Sequence, residues 1–576
     1  MIELTINNIK VKAEEGMTIL EAAKSVGIHI PTLCHMKNLF PTGACRICVV
    51  EVEGMRGLTP SCAYPVANGM KVDTNSQRVR TSRKTIVELL VENHPQDCLI
   101  CVRNRNCELQ NLSEQYGLRE HRFVGEKKEH AIDISSASME RDPAKCILCG
   151  RCVRACGEVQ KIGAIDITNR GFKSNVTTPF NKGLNISDCI LCGQCILVCP
   201  TAALREKSST KEVINAINSK NKFVVAQIAP AVRATLGEEY NLPLGTNVTG
   251  KMITGLRRLG FKKVFDTNFG ADLTIMEEGT ELIRRLEKGM NLPMFTSCCP
   301  GWVKYIEQSK PELLNHVSTC KSPHEMEGAL LKTYYAKKMG IDPKNIYVVS
   351  IMPCTVKKFE AARPELREQF IADVDAVLTT RELVRMYKMA GVDFDDLPES
   401  EFDNPLGEST GAAAIFGTSG GVMEAALRTA YFKLTGKNLE KLELEAIRGM
   451  DGVKEMSIDI NGTIVNVAVV NGIGNVDPIL KQVESGQSKY HFIEVMACPG
   501  GCINGGGQPI HQKPDKVMKR IQALYQIDEK AKTRNSHENE GVKKIYDEFL
   551  EAPNSHKAHE ILHTKYVNRK VILSGS

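Results

Sequence analysis

The sequence predicts a multidomain α+β chain that ends in a large α/β unit. Three observations lead there. Residues 1–80 hold short alternating strands and one capped helix. Residues 81–209 are crowded with cysteine. From residue 210 onward, β-branched runs alternate with helical patterns. A chain of 576 residues is long enough for several domains.

In the first passage, Ile2–Ile6 and Ile9–Ala13 alternate around Asn7-Asn8, a hairpin turn. Thr18 and Glu21 form a capping-box pair opening a helix with Ile19, Ala22, Ala23 and Val26 on one face, and Gly27 is placed to end it. Cys34, Cys45, Cys48 and Cys62 follow. Ten residues separate the first two, where plant-type ferredoxins have four, yet the central C-x2-C is kept. On spacing alone, zinc is the alternative to an iron–sulfur cluster.

Residues 81–125 carry HPQDCLICVRNRNC, which supplies His94, Cys98, Cys101 and Cys107. Three cysteines are one ligand short of a cluster, and imidazole suits iron. A zinc Cys3His site, or a plain turn histidine before proline, are the alternatives. Residues 126–209 hold two C-x2-C-x2-C-x3-C runs, Cys146, Cys149, Cys152, Cys156 and Cys189, Cys192, Cys195, Cys199, with Pro200 completing the second. This is the two-cluster bacterial ferredoxin spacing, in which the fourth cysteine of each run serves the other cluster. Cys146, Cys149, Cys152 and Cys199 should therefore hold one cluster, and Cys189, Cys192, Cys195 and Cys156 the other.

Beyond residue 210, apolar runs at 223–228, 264–265, 346–351, 374–378, 465–470 and 492–495 read as strands, with helical patterns at 280–287 and 421–430 between some of them. Several strands run into turns that carry chemistry: Pro230, Ser297-Cys298-Cys299-Pro300, Met352-Pro353-Cys354 and Ala497-Cys498. In open α/β sheets ligands bind beyond the carboxyl ends of the strands, so these turns are expected to converge.

Composition narrows the function. Hydrophobic residues are 42% and charged residues 25%, as in soluble globular proteins. A net charge of +6, from 74 basic and 68 acidic residues, is too balanced for a nucleic-acid binder. No run of 18 apolar residues offers a membrane span, and MIELTINNIK lacks the features of a secretory signal, so a cytoplasmic location is expected. In a reducing compartment 21 cysteines point to metal or redox sites rather than disulfides. Fifteen of them plus His94 match four clusters, and Cys298, Cys299, Cys320, Cys354, Cys498 and Cys502 remain.

The motifs QIAPAVR, DTNFGADLTIMEEGTE, FTSCCPGW, IMPCTVKKFE and EVMACPGGCINGGGQP resemble those of the FeFe (iron-only) hydrogenases. The likeness covers essentially the whole chain and is nearest the long, monomeric clostridial type with four accessory clusters. It implies a β-grasp ferredoxin-like domain at 1–80 with one 2Fe–2S cluster and a His/Cys3 4Fe–4S domain at 81–125. A two-cluster ferredoxin-like domain at 126–209 brings the accessory 4Fe–4S clusters to three, and a two-lobed α/β catalytic domain spans 210–576. The first two passages also resemble the large iron–sulfur subunit of complex I.

The resemblance assigns Cys299, Cys354, Cys498 and Cys502 to the H-cluster, a 4Fe–4S cube joined through Cys502 to a two-iron unit with carbon monoxide, cyanide and azadithiolate ligands. It implies a proton relay through Cys298, Glu278, Ser318 and Glu281, with Arg285 near the entrance. On spacing alone, Glu281 and Arg285 also read as a solvated surface ion pair. Lys357 is implied as donor to a cyanide. Ala229, Pro230, Ala231, His324, Met352 and Met496 are expected around the cluster, the methionines as polarizable shielding or as ordinary core. Ala231 stands where some relatives have serine. His324 stands where clostridial relatives have glutamine, so a titratable group near the dithiolate and an altered pH profile are expected. Gly500, Gly501, Gly505, Gly506 and Gly507 are expected to leave room for the organometallic group.

The reaction implied is 2H⁺ + 2e⁻ ⇌ H₂. Ferredoxin or a similar small carrier is the implied partner, an NADH-coupled complex the alternative, and maturation proteins the source of the two-iron unit. Four features are set aside. HEILH at 559–563 matches a zinc-protease pattern but reads as a structural helix. GTSGGVMEA at 417–425 reads as a glycine turn opening a helix, Cys320 as a small core residue, and residues 526–544 as solvated and polar. The closing Ser-Gly-Ser reads as an added tail.

Overall fold

A computed structural model describes residues 1–120, 122–127, 130–368, 371–510 and 515–570; the Ser-Gly-Ser tail lies outside them. The chain forms two compact units, one of residues 1–135, 140–187 and 198–205, the other of 136–139, 188–197 and 206–576. Among the described residues no helix is long and apolar enough to cross a membrane.

In the first unit, Ile2–Ile6 pairs antiparallel with Ile9–Ala13, Ile6 facing Ile9. Asn7 and Asn8 take φ of 47° and 66°, the left-handed pair that a two-residue hairpin turn demands. Five strands follow the spatial order Ile9–Ala13, Ile2–Ile6, Lys71–Asp73, Val49–Val52, Thr59–Pro60. The capping box forms as expected, and the helix Ile19–Ser25 buries Ile19, Ala22 and Ala23 in one core with Leu4, Ile6 and Val11.

The second unit holds two four-stranded sheets. In the first, Lys263–Asp266, Phe223–Ile228, Ile346–Met352 and Ala376–Thr379 are all parallel. Their near-continuous apolar runs follow from burial on both faces. In the second, Met294–Phe295 and Thr463–Asn471 flank Phe492–Met496 in parallel, and Val453–Ile460 adds an antiparallel edge.

Two expectations are corrected. The helix expected over 280–287 spans 22 residues, Thr267–Lys288, with Asp266 capping its start. Gly270 and Gly279 break the apolar pattern there. At Gly270 the reason is contact: a Cβ would lie 2.3 Å from the Pro323 carbonyl oxygen. Residues 526–544 are not simply solvated, because Asp528, Asn535, Ser536, His537 and Asn539 are buried. Asp528 pairs with Arg428 at 2.9 Å and Arg534 at 2.7 Å, Asn539 donates to Asp272 at 2.9 Å, and His537 stacks on Phe432. Polar side chains that satisfy one another are indistinguishable from surface polarity in a sequence.

Candidate active site

The parallel strands Phe223–Ile228, Ile346–Met352, Met294–Phe295 and Phe492–Met496 deliver at their carboxyl ends Ala229-Pro230-Ala231, Pro353-Cys354, Ser297-Cys298-Cys299 and Ala497-Cys498. Cys299 caps the helix Pro300–Ser309, and the backbone amides of Gly301, Trp302 and Ala497 point at its sulfur, the last at 3.4 Å. Cys354 likewise meets the amides of Val356 and Lys357 at the start of another helix. Helix amides aimed at sulfur favour the thiolate, the form that binds iron.

Burial pushes all four thiols, Cys299, Cys354, Cys498 and Cys502, above the ordinary range, Cys354 to about 12. Cys299 acts on the other three as well, so the sulfurs form one group. Each of the four residues nevertheless keeps partial exposure. Four mutually interacting sulfurs, two of them met by backbone amides, fit a 4Fe–4S cube.

The glycines do something other than expected. A Cβ at Gly505 would lie 2.3 Å from the Pro353 carbonyl oxygen, at Gly506 2.4 Å from that of Cys192, and at Gly507 2.9 Å from the Pro353 carbonyl carbon. They allow backbone to press on backbone rather than clear a void. The Cys189–Cys192–Cys195 loop is seated the same way, with Thr355 donating to the Leu191 carbonyl and Gln194 to that of Asn504, both at 2.8 Å. Cys498 senses the charge of Cys192.

Glu278 is fully buried. Its Oε1 accepts from the Ser297 amide at 3.3 Å, and its Oε2 has no hydrogen-bond partner among the described residues. Burial, then the neighbouring Glu281, pushes its carboxyl up to about 8. Cys298 is pushed up by burial and then by Glu278. Ser318 reaches Glu278 and donates to Glu281 Oε2 at 2.8 Å. Arg285 holds Glu281 Oε1 at 2.6 Å and binds the carbonyls of Asn291, Asn315, His316 and Val317. With both side chains only 11% exposed, the surface-pair reading of Glu281 and Arg285 is corrected.

Lys357 is buried and donates to Ser322 and Glu360, each at 2.7 Å. Burial opposes its charge, but Glu360 prevails and holds its pKa above the ordinary value. The sequence reading missed Glu360 and Ser322; the helical i,i+3 spacing of Lys357 and Glu360 was the available signal. His324 is corrected as a titrating group. Its ring sits between Ser350 at 3.1 Å and Glu360 at 2.8 Å, and burial, then Lys357, pushes it down to about 4. Ala229, Pro230, Ala231, Met352 and Met496 are all buried. The Ala231 carbonyl accepts from Gln508 at 3.4 Å, and Gln508 also reaches the Cys502 carbonyl.

Cys34 contacts Cys45 and Cys62, and Cys48 contacts Cys62. His94 gives Nδ1 to the Pro95 carbonyl at 2.8 Å, which leaves Nε2 buried without a hydrogen-bond partner, and it shares a cavity wall with Cys98 and Cys107. A histidine fixed through one nitrogen and open at the other suits a metal. Cys146, Cys149, Cys152 and Cys199 line one small cavity. Cys189, Cys192 and Cys195 belong to the second unit and Cys156 to the first.

Of the features set aside, Gly420 and Met423 donate backbone amides to Glu494 at 2.6 and 2.7 Å, so a carboxylate caps the helix Gly421–Thr435. HEILH forms the end of the helix His556–Leu562. Cys320 is a core residue with no exposure, and its sulfur lies 4.0 Å from Glu281 Oε2.

Residues 222–506 match the iron-only hydrogenase large subunit, C-terminal domain, and 514–569 the iron hydrogenase small subunit. Residues 1–77 match a 2Fe-2S iron-sulfur cluster binding domain, 83–122 the NADH-ubiquinone oxidoreductase-G iron-sulfur binding region, and 145–203 a 4Fe-4S dicluster domain. The chain is 49% identical to the NADP-reducing hydrogenase subunit HndD of Solidesulfovibrio fructosivorans over 99% of both chains. It is 46% identical to iron hydrogenase 1 of Clostridium pasteurianum over 98% of this chain and all of the other. An apo FeFe-hydrogenase variant of Chlamydomonas reinhardtii superposes with a TM-score of 0.58 at 44% identity, over 63% of this chain and 100% of that one. With the cysteine constellation in place, the chain belongs to the FeFe (iron-only) hydrogenase family and is an FeFe hydrogenase.

Proposed function

We propose that this chain interconverts protons, electrons and dihydrogen at an H-cluster that Cys299, Cys354, Cys498 and Cys502 would hold. One 2Fe–2S and three 4Fe–4S clusters, on the ligand sets above in segments 1–80, 81–125 and 126–209, would carry the electrons. The observation that carries the reading is the meeting of four cysteines beside a line of proton-bearing side chains, Cys298, Glu278, Ser318 and Glu281.

When bound, the H-cluster supplies the redox metal at which hydrogen is made or split. The protein moves the proton. Glu278, raised to about 8, exchanges a proton near neutral pH at its open Oε2. Ser318 passes it to Glu281 Oε2 while Arg285 engages Oε1. Lys357, pinned by Ser322 and Glu360, presents a fixed positive charge suited to a cyanide. At ~59 mV per tenfold in proton activity the hydrogen couple lies near about −0.41 V at pH 7, and plant-type clusters lie near roughly −400 mV. Little driving force separates them, so turnover runs both ways.

Ferredoxin or a similar small carrier in the cytoplasm is the electron partner, the chain acts as a monomer, and separate maturation proteins deliver the two-iron unit. The full-length likeness to an NADP-reducing hydrogenase subunit favours a second reading, a catalytic subunit in a nicotinamide-coupled complex. Matured protein supplied with reduced ferredoxin, or with NADH or NADPH, separates the two. Hydrogen evolved from ferredoxin by this chain alone supports the first reading. Evolution that needs added subunits supports the second. No evolution even from reduced methyl viologen would contradict both.

A further inference from the structure

We propose that Glu281, Cys320 and His563 form a binding site for a borderline-soft divalent cation, zinc or cadmium, and that its occupation stops proton traffic through Glu281. The second half rests on the relay proposed above.

The site is built by a short backbone pairing. The helix His556–Leu562 ends at His563. The chain then runs beside residues 319–321: Lys321 donates to the Leu562 carbonyl and Thr564 to that of Thr319, each at 2.8 Å. Cys320 and His563 face each other as an isolated antiparallel pair. Residues so opposed project to the same side. Glu281 reaches the same place from the helix Thr267–Lys288, its Oε2 4.0 Å from Cys320 Sγ. One ligand atom from each of the three lies within 4.8 Å of the others. Tetrahedral zinc, with arms of ~2.0–2.3 Å, holds its ligand atoms about 3.3–3.8 Å apart. The gap is a side-chain adjustment.

The histidine is oriented as in zinc sites, where the second ring nitrogen is tied to a carboxylate. His563 Nε2 lies 3.0 Å from Glu277 Oε2. Glu277 is itself fixed by the Tyr546 hydroxyl at 2.5 Å and the Asn554 amide at 2.7 Å. Nδ1 is the nitrogen left to face the site, and it now meets the Thr319 hydroxyl at 2.8 Å. A cation would replace that hydroxyl, and water could complete the shell. Thiol, imidazole and carboxylate together suit zinc better than calcium or magnesium. The zinc-protease reading of HEILH would use His559 and His563 as joint ligands. Here the two ring centroids lie 4.0 Å apart with the planes tilted by 34°, and only His563 joins the cluster.

Entry is available through an open cleft of about 1360 Å³ whose wall includes Thr319, His559 and His563. Burial, then Glu281, Glu278 and Glu277, keeps the Cys320 thiol protonated. Coordination forms the metal–sulfur bond and releases that proton to the water of the cleft. Bound cation then occupies Glu281 Oε2, the oxygen that Ser318 serves.

The test titrates matured holoenzyme with zinc chloride while hydrogen evolution from reduced methyl viologen is followed. Zinc K-edge absorption is recorded on the same protein. Inhibition reversed by a chelator, with sulfur among the zinc neighbours, is expected. Cys320→Ala, its size-matched companion Cys320→Ser, and His563→Gln should each need about tenfold more zinc or beyond, with wild-type iron content and turnover. Equal sensitivity in wild type and all variants, or a zinc shell without sulfur, overturns the site. Sulfur-ligated zinc with undiminished turnover keeps the site and overturns the Glu281 relay.

Discussion

The Ser318 hydroxyl donates to Glu281 Oε2 at 2.8 Å while Arg285 occupies Oε1 at 2.6 Å. Oε1 is thus held by the guanidinium and Oε2 by Ser318 and Thr319, so in the proposed relay Oε2 is the oxygen that would take the proton. Removing the acid–base function while keeping the shape, Glu281→Gln or Glu278→Gln, should lower turnover by about 10²–10⁴-fold, the usual worth of a positioned acid–base group. The infrared signature of the loaded site should survive. Turnover near wild type in both variants would remove these residues from the proton path.

Glu360→Gln should destabilise the protein, because Lys357 would remain charged in a buried place without its partner. About 3–5 kcal/mol is expected from breaking such a pair, measurable as a lower unfolding midpoint. Burial alone would raise Glu360, but Lys357 and His324 hold it below the ordinary carboxylate range. Its contribution is therefore complete above the unfolded value near about 4.3 and is lost as pH falls toward the lowered folded value. A variant with an unchanged midpoint at pH 7 would show that the pair contributes nothing.

His324→Gln should leave the shape of the pH–rate profile unchanged above pH ~5, since the folded imidazole loses its proton near 4. The same shift makes a stability prediction. The unfolded histidine takes up a proton below about 6.5 and the folded one does not until about 4. Wild-type stability should thus fall across that window on acidification, and His324→Gln should fall less steeply. Identical acid dependence in both proteins would contradict it.

Gly506→Ala places a methyl 2.4 Å from the Cys192 carbonyl oxygen and 2.6 Å from Gly193 Cα. Backbone cannot yield as a flexible side chain can, so a loss of about 1–3 kcal/mol is expected. Electron delivery from the Cys189–Cys192–Cys195 cluster should slow as the two loops part. Rapid-mixing kinetics would read the slowing, and wild-type rates together with wild-type stability would exclude a tight seat at Gly506.

Much of this was legible in the chain. Cysteine spacing announced which sulfurs share a cavity, down to Cys199 joining Cys146, Cys149 and Cys152, because fixed spacings encode fixed turns. Asn7-Asn8 and Thr18–Glu21 were readable because their interactions are local. What escaped depends on contacts distant in sequence. The start of the helix Thr267–Lys288 was not read, because the contact that calls for Gly270, the Pro323 carbonyl, is distant in sequence. Gly505, Gly506 and Gly507 were taken for open space when they are packed against backbone. His324 was read from its unperturbed chemistry, but full burial decides its proton.

Infrared spectroscopy of the matured protein, with iron analysis on the same sample, tests the central claim most directly. Bands of metal-bound carbon monoxide and cyanide, lost on Cys502→Ala while the accessory-cluster signals persist, are the predicted result. Fully matured protein that contains only the accessory clusters and shows no such bands would contradict the assignment of Cys299, Cys354, Cys498 and Cys502.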